Sequence, residues 1–178
     1  MVSNGLSYKG VVSLKIIDAK SKNIKKQFNI HNNGSNTLFY FLCKCLTKEY
    51  DEQYAPLAID ASTQEYIEGN EDSFTSCLAY RVLLSDQGIL ENVKITLNEN
   101  ELMIYSYVTR FSAIIPYSVM TLGESNDTTI KCFQLHAKLS QSDKLSSLLA
   151  WINLEEGIAI ANGEALLIEW NMGFTNPQ

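Results

Sequence analysis

Apolar and polar residues alternate along most of the chain, which is the pattern of β-strands with one buried face. The first two such segments are residues 10–17 and 24–30, separated by turn-forming residues at 18–23. Their apolar positions are Val12, Leu14, Ile16, Ile24, Phe28 and Ile30. Lys26 shares the apolar face, which indicates an edge strand whose lysine carries its charge out to water on an aliphatic stem. These segments predict a β-hairpin.

The period of the pattern changes after this hairpin. Residues 31–36 are rich in asparagine and serine, which cap helix N-termini. Apolar residues then recur at the i, i+3, i+4, i+7, i+8 spacing of an amphipathic helix, at Leu38, Phe41, Leu42, Cys45 and Leu46. The pattern predicts one helix from about Ser35 to Lys48.

The strand pattern returns after Pro56 and continues through the rest of the chain. Further strands are predicted at residues 57–60, 77–84, 93–97, 102–115, 130–139 and 165–174. Residues 145–152 fit either a helix or a strand, and we favour a strand. Residues 64–73 contain four carboxylates and predict a solvated loop. Asn162-Gly163 predicts a type I′ turn before the last strand.

One helix among about eight short strands is typical of a β-sandwich. We therefore predict a mainly β protein, an antiparallel and jelly-roll-like β-sandwich with one amphipathic helix after the first hairpin. The length of 178 residues fits one domain, so residues 1–178 are predicted to form a single β-sandwich domain with a core at about residues 10–175.

Charge is distributed unevenly along the chain. The formal net charge is −6, and only two of the fourteen basic residues are arginines, which argues against direct nucleic-acid recognition. Residues 1–48 contain eight lysines and one aspartate and so carry +7, which leaves −13 for residues 49–178. We expect two unlike surfaces that can stack head to tail, since heterologous contacts of this kind close into rings.

No segment resembles a membrane span or a targeting signal. Apolar runs are far shorter than the roughly 18 residues that a membrane helix needs. The N-terminus lacks the charged and apolar regions of a signal peptide. The sequence therefore predicts synthesis in a cytoplasm and no membrane partner.

The residues that usually carry chemistry do not form a recognisable site. His31 and His136 have no catalytic motif around them, and a structural hydrogen-bonding role is favoured for both. Cys43 and Cys45 are two positions apart on the predicted helix, so their side chains point in different directions. Cys77 and Cys132 have no second cysteine nearby. We predict no catalytic residue, no cofactor-binding residue and no metal ligand, and hence no enzyme.

Two arginines and two tyrosines on predicted strands are candidates for binding. Arg81 and Arg110 are each adjacent to an aromatic residue on a predicted strand, so each suits an ion pair within or between subunits, or a place on an exposed face. Tyr105 and Tyr107 share a predicted face with Phe111. That face suits either a carbohydrate-stacking platform or half of a subunit interface, where tyrosine is enriched.

Several short motifs resemble those of small structural proteins of tailed bacteriophages, closest to ring, collar or tail proteins of crAss-like podoviruses. The turn and helix read HNNGSNTLFYFLCKCL, a short strand follows Pro56, and Tyr80-Arg81-Val82 resembles a "YR" strand. The remaining matches are Ile114-Ile115-Pro116, residues 119–123 and the closing strand at residues 166–174. The glutamate and second glycine of the family pattern near residues 120–123 are not cleanly present.

The resemblance implies a β-sandwich that assembles into a multimeric ring or tube, without catalysis or cofactor. We therefore expect a virion structural protein, located in the neck or tail of a phage particle as a subunit of a homo-oligomeric ring that contacts other virion proteins. The alternatives are a capsid decoration protein, a fibre-attachment protein, or a carbohydrate-binding β-sandwich module for host attachment.

Overall fold

The computed structural model describes residues 7–40, 56–68, 78–84, 89–91, 94–97, 101–104, 107–120, 129–137 and 148–175. Within these ranges the strands are β1 (Ser7–Asp18), β2 (Ile24–Gly34), β3 (Pro56–Ser62), β4 (Leu78–Leu83), β5 (Ile89–Glu91), β6 (Lys94–Leu97), β7 (Glu101–Ile104), β8 (Tyr107–Pro116), β9 (Ile130–Ala137), β10 (Leu148–Ile158) and β11 (Glu164–Thr175). Residues 36–40 are helical, and α1 (Tyr117–Met120) is a single helical turn.

Nine strands form one antiparallel sheet in the order β4-β3-β9-β10-β2-β1-β11-β8-β5. The sheet curls until β4, at one edge, approaches β8, which lies next to the other edge, so it is nearly closed into a barrel. Strands β6 and β7 pair with each other outside this sheet, and β6 lies near β2. The prediction of a mainly β, antiparallel protein is confirmed.

The longest pairings join the predicted first hairpin to the last strand. β1 lies between β2 and β11, with Leu14 opposite Phe28 on one side and Ile168 on the other. Both neighbours of β1 are antiparallel, so residues that lie opposite each other share a face of the sheet. The alternation that predicted β1 and β11 therefore places Val12, Leu14 and Ile16 of β1 on the same inner side as Leu166, Ile168 and Trp170 of β11.

The core is formed by this inner side of the sheet. Its largest fully buried side chains include Trp170, Phe133, Leu14, Ile59, Ile115, Ile152, Leu166 and Ile168. Strands from both halves of the sheet order contribute to one continuous apolar cluster. Burial of this surface is the main stabilising term, because each fully buried large apolar side chain contributes about 1.5–3 kcal/mol.

The described part of the predicted helix begins as the sequence indicates. Ser35 is its N-cap, since the Ser35 Oγ atom accepts a hydrogen bond from the Leu38 N–H at 3.2 Å. The Ser35 N–H donates to the Leu149 carbonyl, which ties the helix start to β10. Leu38 is buried in the core. The rest of the predicted helix, residues 41–48, lies outside the described residues.

The predicted strands correspond to observed ones, with differences in extent. The segment predicted at residues 102–115 contains β7 and β8 as two strands with different partners. The ambiguous segment at residues 145–152 is a strand where it is described, as β10 begins at Leu148. β5 was not predicted, because three residues are too few to show an alternating pattern. The single turn α1 was not predicted either.

The turn before β11 differs from the predicted type. The Glu164 N–H donates to the Ala161 carbonyl at 3.0 Å, which closes a four-residue turn at the expected place. Only Gly163 of the two central residues has a positive φ, of +83°, whereas a type I′ turn requires a positive φ at both. The φ of Gly163 fits a type II turn instead. The reason is topological: β10 and β11 do not pair, so no tight hairpin is required here.

Candidate functional site

The two arginine candidates lie near opposite edges of the sheet, Arg81 on β4 and Arg110 on β8. Arg81 is opposite Asp60 in the register of β4 and β3. The Arg110 Nε–H donates to Asn171 Oδ1 at 3.1 Å. The Asn171 side-chain amide in turn donates to the Val11 carbonyl at 3.3 Å, and Asn171 is buried. Arg110 therefore has an intramolecular role, holding a buried amide across β8, β11 and β1.

His136 takes part in a buried polar cluster, as the structural interpretation predicts. Its Nε2 atom is 2.8 Å from Gln134 Oε1 and 3.4 Å from Asp60 Oδ2. Asp60 and Gln134 are directly opposite each other on β3 and β9, and both are buried. The His136 ring thus links Gln134 and Asp60 across two strands and gives these buried polar groups a partner.

Of the three aromatic residues predicted to share a face, Tyr107 and Phe111 lie on β8, and Tyr107 is opposite Phe174 of β11. Phe111 is buried in the core, opposite Trp170 on β11, and so is not accessible to a sugar ring. Tyr105 lies outside the described residues.

Cys132 is the one cysteine whose position is described. Its side chain is fully buried between Tyr66 and Leu148. Burial raises the pKa of the Cys132 thiol to about 12, because the thiolate would be desolvated. Cys43, Cys45 and Cys77 lie outside the described residues. No group of three His, Cys, Asp or Glu side chains suitable for a metal ion occurs in the described part of the chain.

We expect Cys132 to be unreactive in the folded protein. Iodoacetamide at pH 8 should alkylate it far more slowly than the same residue in urea-unfolded chains, because the thiol is both buried and protonated. Peptide-resolved mass spectrometry of the alkylated protein measures this. Alkylation of Cys132 at equal rates in the two states would contradict its described environment.

The described part of the predicted solvated loop, residues 64–68, is anchored to the fold by one residue. Gln64, Glu65, Ile67 and Glu68 are exposed, as expected, but Tyr66 is buried. The Asn153 side chain accepts from the Tyr66 N–H and donates to the Tyr66 carbonyl, both at 2.9 Å. The Tyr66 ring meets Trp151 edge to face, with centroids 5.1 Å apart. In the sequence, the one sign of this contact is that an aromatic residue, Tyr66, lies among the carboxylates of the loop.

A concavity in the described part of the chain lies where β2 and β10 separate. The two strands pair only at Asn33 with Trp151 and Gly34 with Ala150. Beyond this point the register of β10 against β9 jumps from Asn153 to Ile158, so the intervening residues bulge away. Lys26 predicted an edge strand, whereas β2 lies inside the sheet order, between β10 and β1. The side of β2 that faces β10 is nevertheless unpaired with the described strands along most of its length.

We call the space between these strands the β2–β10 groove, and its volume is about 790 Å³. Its lining is formed by Ile16, Lys26, Phe28, Asn29, Ile30, His31 and residues 153–159. Phe28 and Ile30 of β2, together with Leu154 and Ile158 of β10, form the apolar part of this lining. Six of its thirteen lining residues carry polar or charged side chains, so the groove combines apolar surface with groups that can orient a partner.

The charged residues of the groove lie on opposite walls. Lys26 is on the β2 wall, and Glu155 and Glu156 are on the β10 wall. All three are exposed, and they form no ion pair with each other or with other described residues. Gly157 shapes the acidic wall, since its φ is +70° and a Cβ there would meet Thr129.

The separation of charge along the sequence is partly neutralised within the subunit. Lys15 Nζ is 2.6 Å from Glu169 Oε2, and Lys25 Nζ is 2.9 Å from Glu164 Oε1. Both pairs join the basic N-terminal hairpin to the acidic last strand. The two charge populations are therefore not wholly separate surfaces, and the basic residues left for another molecule are fewer than the count of +7 suggests.

Two carboxylates near the β1–β2 turn have lowered pKa values. The backbone and side chain of Ser21 donate to Asp18 Oδ1, which lowers the pKa of Asp18. The hydrogen bond from Lys25, and then the one from the Ala161 N–H, lower the pKa of Glu164. A carboxyl whose pKa is lower in the folded state stabilises the fold above its unfolded pKa and ceases to do so as the pH falls through its folded pKa.

We expect stability to fall between neutral pH and about pH 3, partly through these two groups. Asp18→Asn combined with Glu164→Gln should give a smaller loss over that range than the wild type, as measured by urea denaturation at each pH. Glu68→Gln is the matched control, since Glu68 is exposed and has no ion pair with the described residues. An unchanged pH dependence in the double variant would show that other groups dominate.

No protein-family model, curated protein sequence or solved structure matches the chain. Among the helices of the described residues, none is long and apolar enough to cross a membrane.

Proposed function

We propose that the chain is a non-enzymatic structural subunit that assembles with copies of itself into a ring, located in the neck or tail of a tailed-phage virion. The β2–β10 groove carries this proposal. It exposes an unpaired strand edge together with apolar side chains, and proteins normally pair, cover or charge such edges to prevent unwanted association. In a ring, the neighbouring subunit would cover this strand edge.

The resemblance of the motifs to phage ring, collar and tail proteins supports the choice of assembly over other binding functions. It also makes other virion proteins the expected neighbours of the ring. The polar candidates of the sequence support a structural role too, because Arg110 and His136 both hold buried polar groups of the fold.

We further propose that the strands of the nearly closed sheet are arranged as a jelly-roll-like sandwich. The pairing of β2 with β10 is confined to two residue pairs. This short junction allows the two parts of the sheet that it connects to face each other. The apolar cluster contains residues from both halves, such as Leu135 of β9 and Ile168 of β11. The groove then opens at one side of the sandwich.

The proposal is tested by mass photometry and negative-stain electron microscopy of the purified full-length chain. We expect closed oligomers of defined mass, and we expect added salt to shift them towards monomers, because salt screens attraction between exposed charges. A chain that stays monomeric at high concentration would contradict self-assembly. Oligomers of the same mass at all salt concentrations would show that charge does not join the subunits.

A further inference from the structure

We propose that the β2–β10 groove binds the β1–β2 turn of a second copy of the chain. Each subunit would then offer a basic turn to one neighbour and an acidic-walled groove to the other. This inference rests on the proposed self-assembly and names the two surfaces that perform it.

The β1–β2 turn is basic and exposed. Residues 20–26 are all exposed, and Lys20 and Lys22 form no ion pair with the described residues. The turn is held in shape by the Asp18 carboxylate, which accepts from the Lys20 and Ser21 N–H groups at 3.0 and 2.8 Å. Such a preformed turn loses little conformational entropy on binding.

An apolar residue accompanies these lysines. Ile24, the first residue of β2, is 54% exposed. In the groove, Phe28 is 40% exposed and belongs to the apolar part of the lining. A turn that brings Ile24 onto this lining would remove apolar surface from water on both sides, which favours association.

The charges of the two surfaces are complementary. Glu155 and Glu156 on the groove wall have no ion-pair partner in the described part of the chain, and neither do Lys20 and Lys22. The turn cannot enter the groove of its own subunit without breaking the pairing of β1 with β2, since it connects these two strands. The partner that fits is therefore a second copy.

The contact uses two different surfaces, so it is heterologous. An interface of this type leaves one turn and one groove open after each addition, and it closes into a ring when the rotation between subunits permits. A two-fold dimer would instead use the same surface on both subunits. The placement of turn and groove thus agrees with the proposed ring.

Charge reversal on each surface tests the proposal. The turn variant is Lys20→Glu with Lys22→Glu, and the groove variant is Glu155→Lys with Glu156→Lys. Each alone should weaken assembly by about tenfold or more, because several attractive contacts become repulsive. An equimolar mixture of the two variants should restore oligomers with an even number of subunits, since turn and groove are complementary wherever the variants alternate. A single chain that carries all four substitutions should restore oligomers of any number, because turn and groove are then complementary at every contact. Mass photometry of each sample measures this.

Two further variants distinguish loss of the proposed interface from a general effect of surface charge or of misfolding. Glu68→Lys, on an exposed segment outside the groove, should assemble as the wild type does, whereas Ile24→Ser should weaken assembly without lowering the melting temperature of the monomer. If the wild type forms oligomers but both charge variants do so equally well, the proposed interface is wrong and self-assembly stands. If the wild type is monomeric throughout, the proposed function fails with it.

Discussion

Trp170→Ala is expected to cost about 3–5 kcal/mol of folding free energy, a large part of the roughly 5–15 kcal/mol that stabilises a typical domain. Trp170 is fully buried on β11, opposite Val12 on one side and Phe111 on the other. Removing its ring would leave a cavity at the centre of the sheet. Urea denaturation monitored by circular dichroism measures the loss.

Two comparison variants identify the cause of that loss. Ile114→Ala removes an aliphatic side chain that is 47% exposed on β8, and should cost less than about 1 kcal/mol. Trp170→Phe should cost much less than the alanine variant. Phenylalanine keeps an aromatic ring in the core and removes the indole N–H, which has no hydrogen-bond partner among the described residues. Equal losses for Trp170→Ala and Ile114→Ala would contradict the described core.

Gly10→Ala is expected to destabilise the protein by about 1–3 kcal/mol through steric overlap. Gly10 on β1 lies opposite Asn32 on β2, and a Cβ atom at Gly10 would coincide with the Asn32 side-chain amide. The atoms in conflict all lie beyond the Asn32 Cβ. Asn32→Ala should therefore relieve the overlap, so that the cost of Gly10→Ala is smaller in that background.

A double-mutant cycle with denaturation free energies measures this coupling. Gly163→Ala is the control, because it introduces backbone strain at a φ of +83° and has open space around its Cβ. Its cost should be the same with Asn32 or Ala at position 32. Additive costs for Gly10→Ala and Asn32→Ala would show that the two residues are not in contact.

The sequence predicted those parts of the fold in which a simple period repeats over many residues. The alternation of β1 and β11 and the capping serine of the helix each report a local property, and each has its counterpart in the structure. β2 forms as predicted, but Ile24 and Phe28, which its alternation placed on the inward face, are exposed. Strand partners are not local. Nothing in residues 102–115 shows that β7 pairs with β6 while β8 pairs with β11 and β5.

The candidate site was predicted only in part, for the same reason. Lys26 on an apolar face indicated an open strand edge, and that edge forms one wall of the groove. The opposite wall depends on the bulge of β10 and on the positive φ of Gly157, which no pattern around Glu155 and Glu156 signals. The charge partition was visible in the sequence, but its partial neutralisation through Lys15 and Lys25 depends on which strands are neighbours.

The most direct test is a cryo-electron microscopy structure of the assembled oligomer of the full-length chain. The proposed function and interface require a closed ring in which Lys20 and Lys22 of each subunit lie within ion-pair distance of Glu155 and Glu156 of the next. A ring in which the β2–β10 groove faces solvent would contradict the interface. Particles that contain only single subunits would contradict the proposed assembly itself.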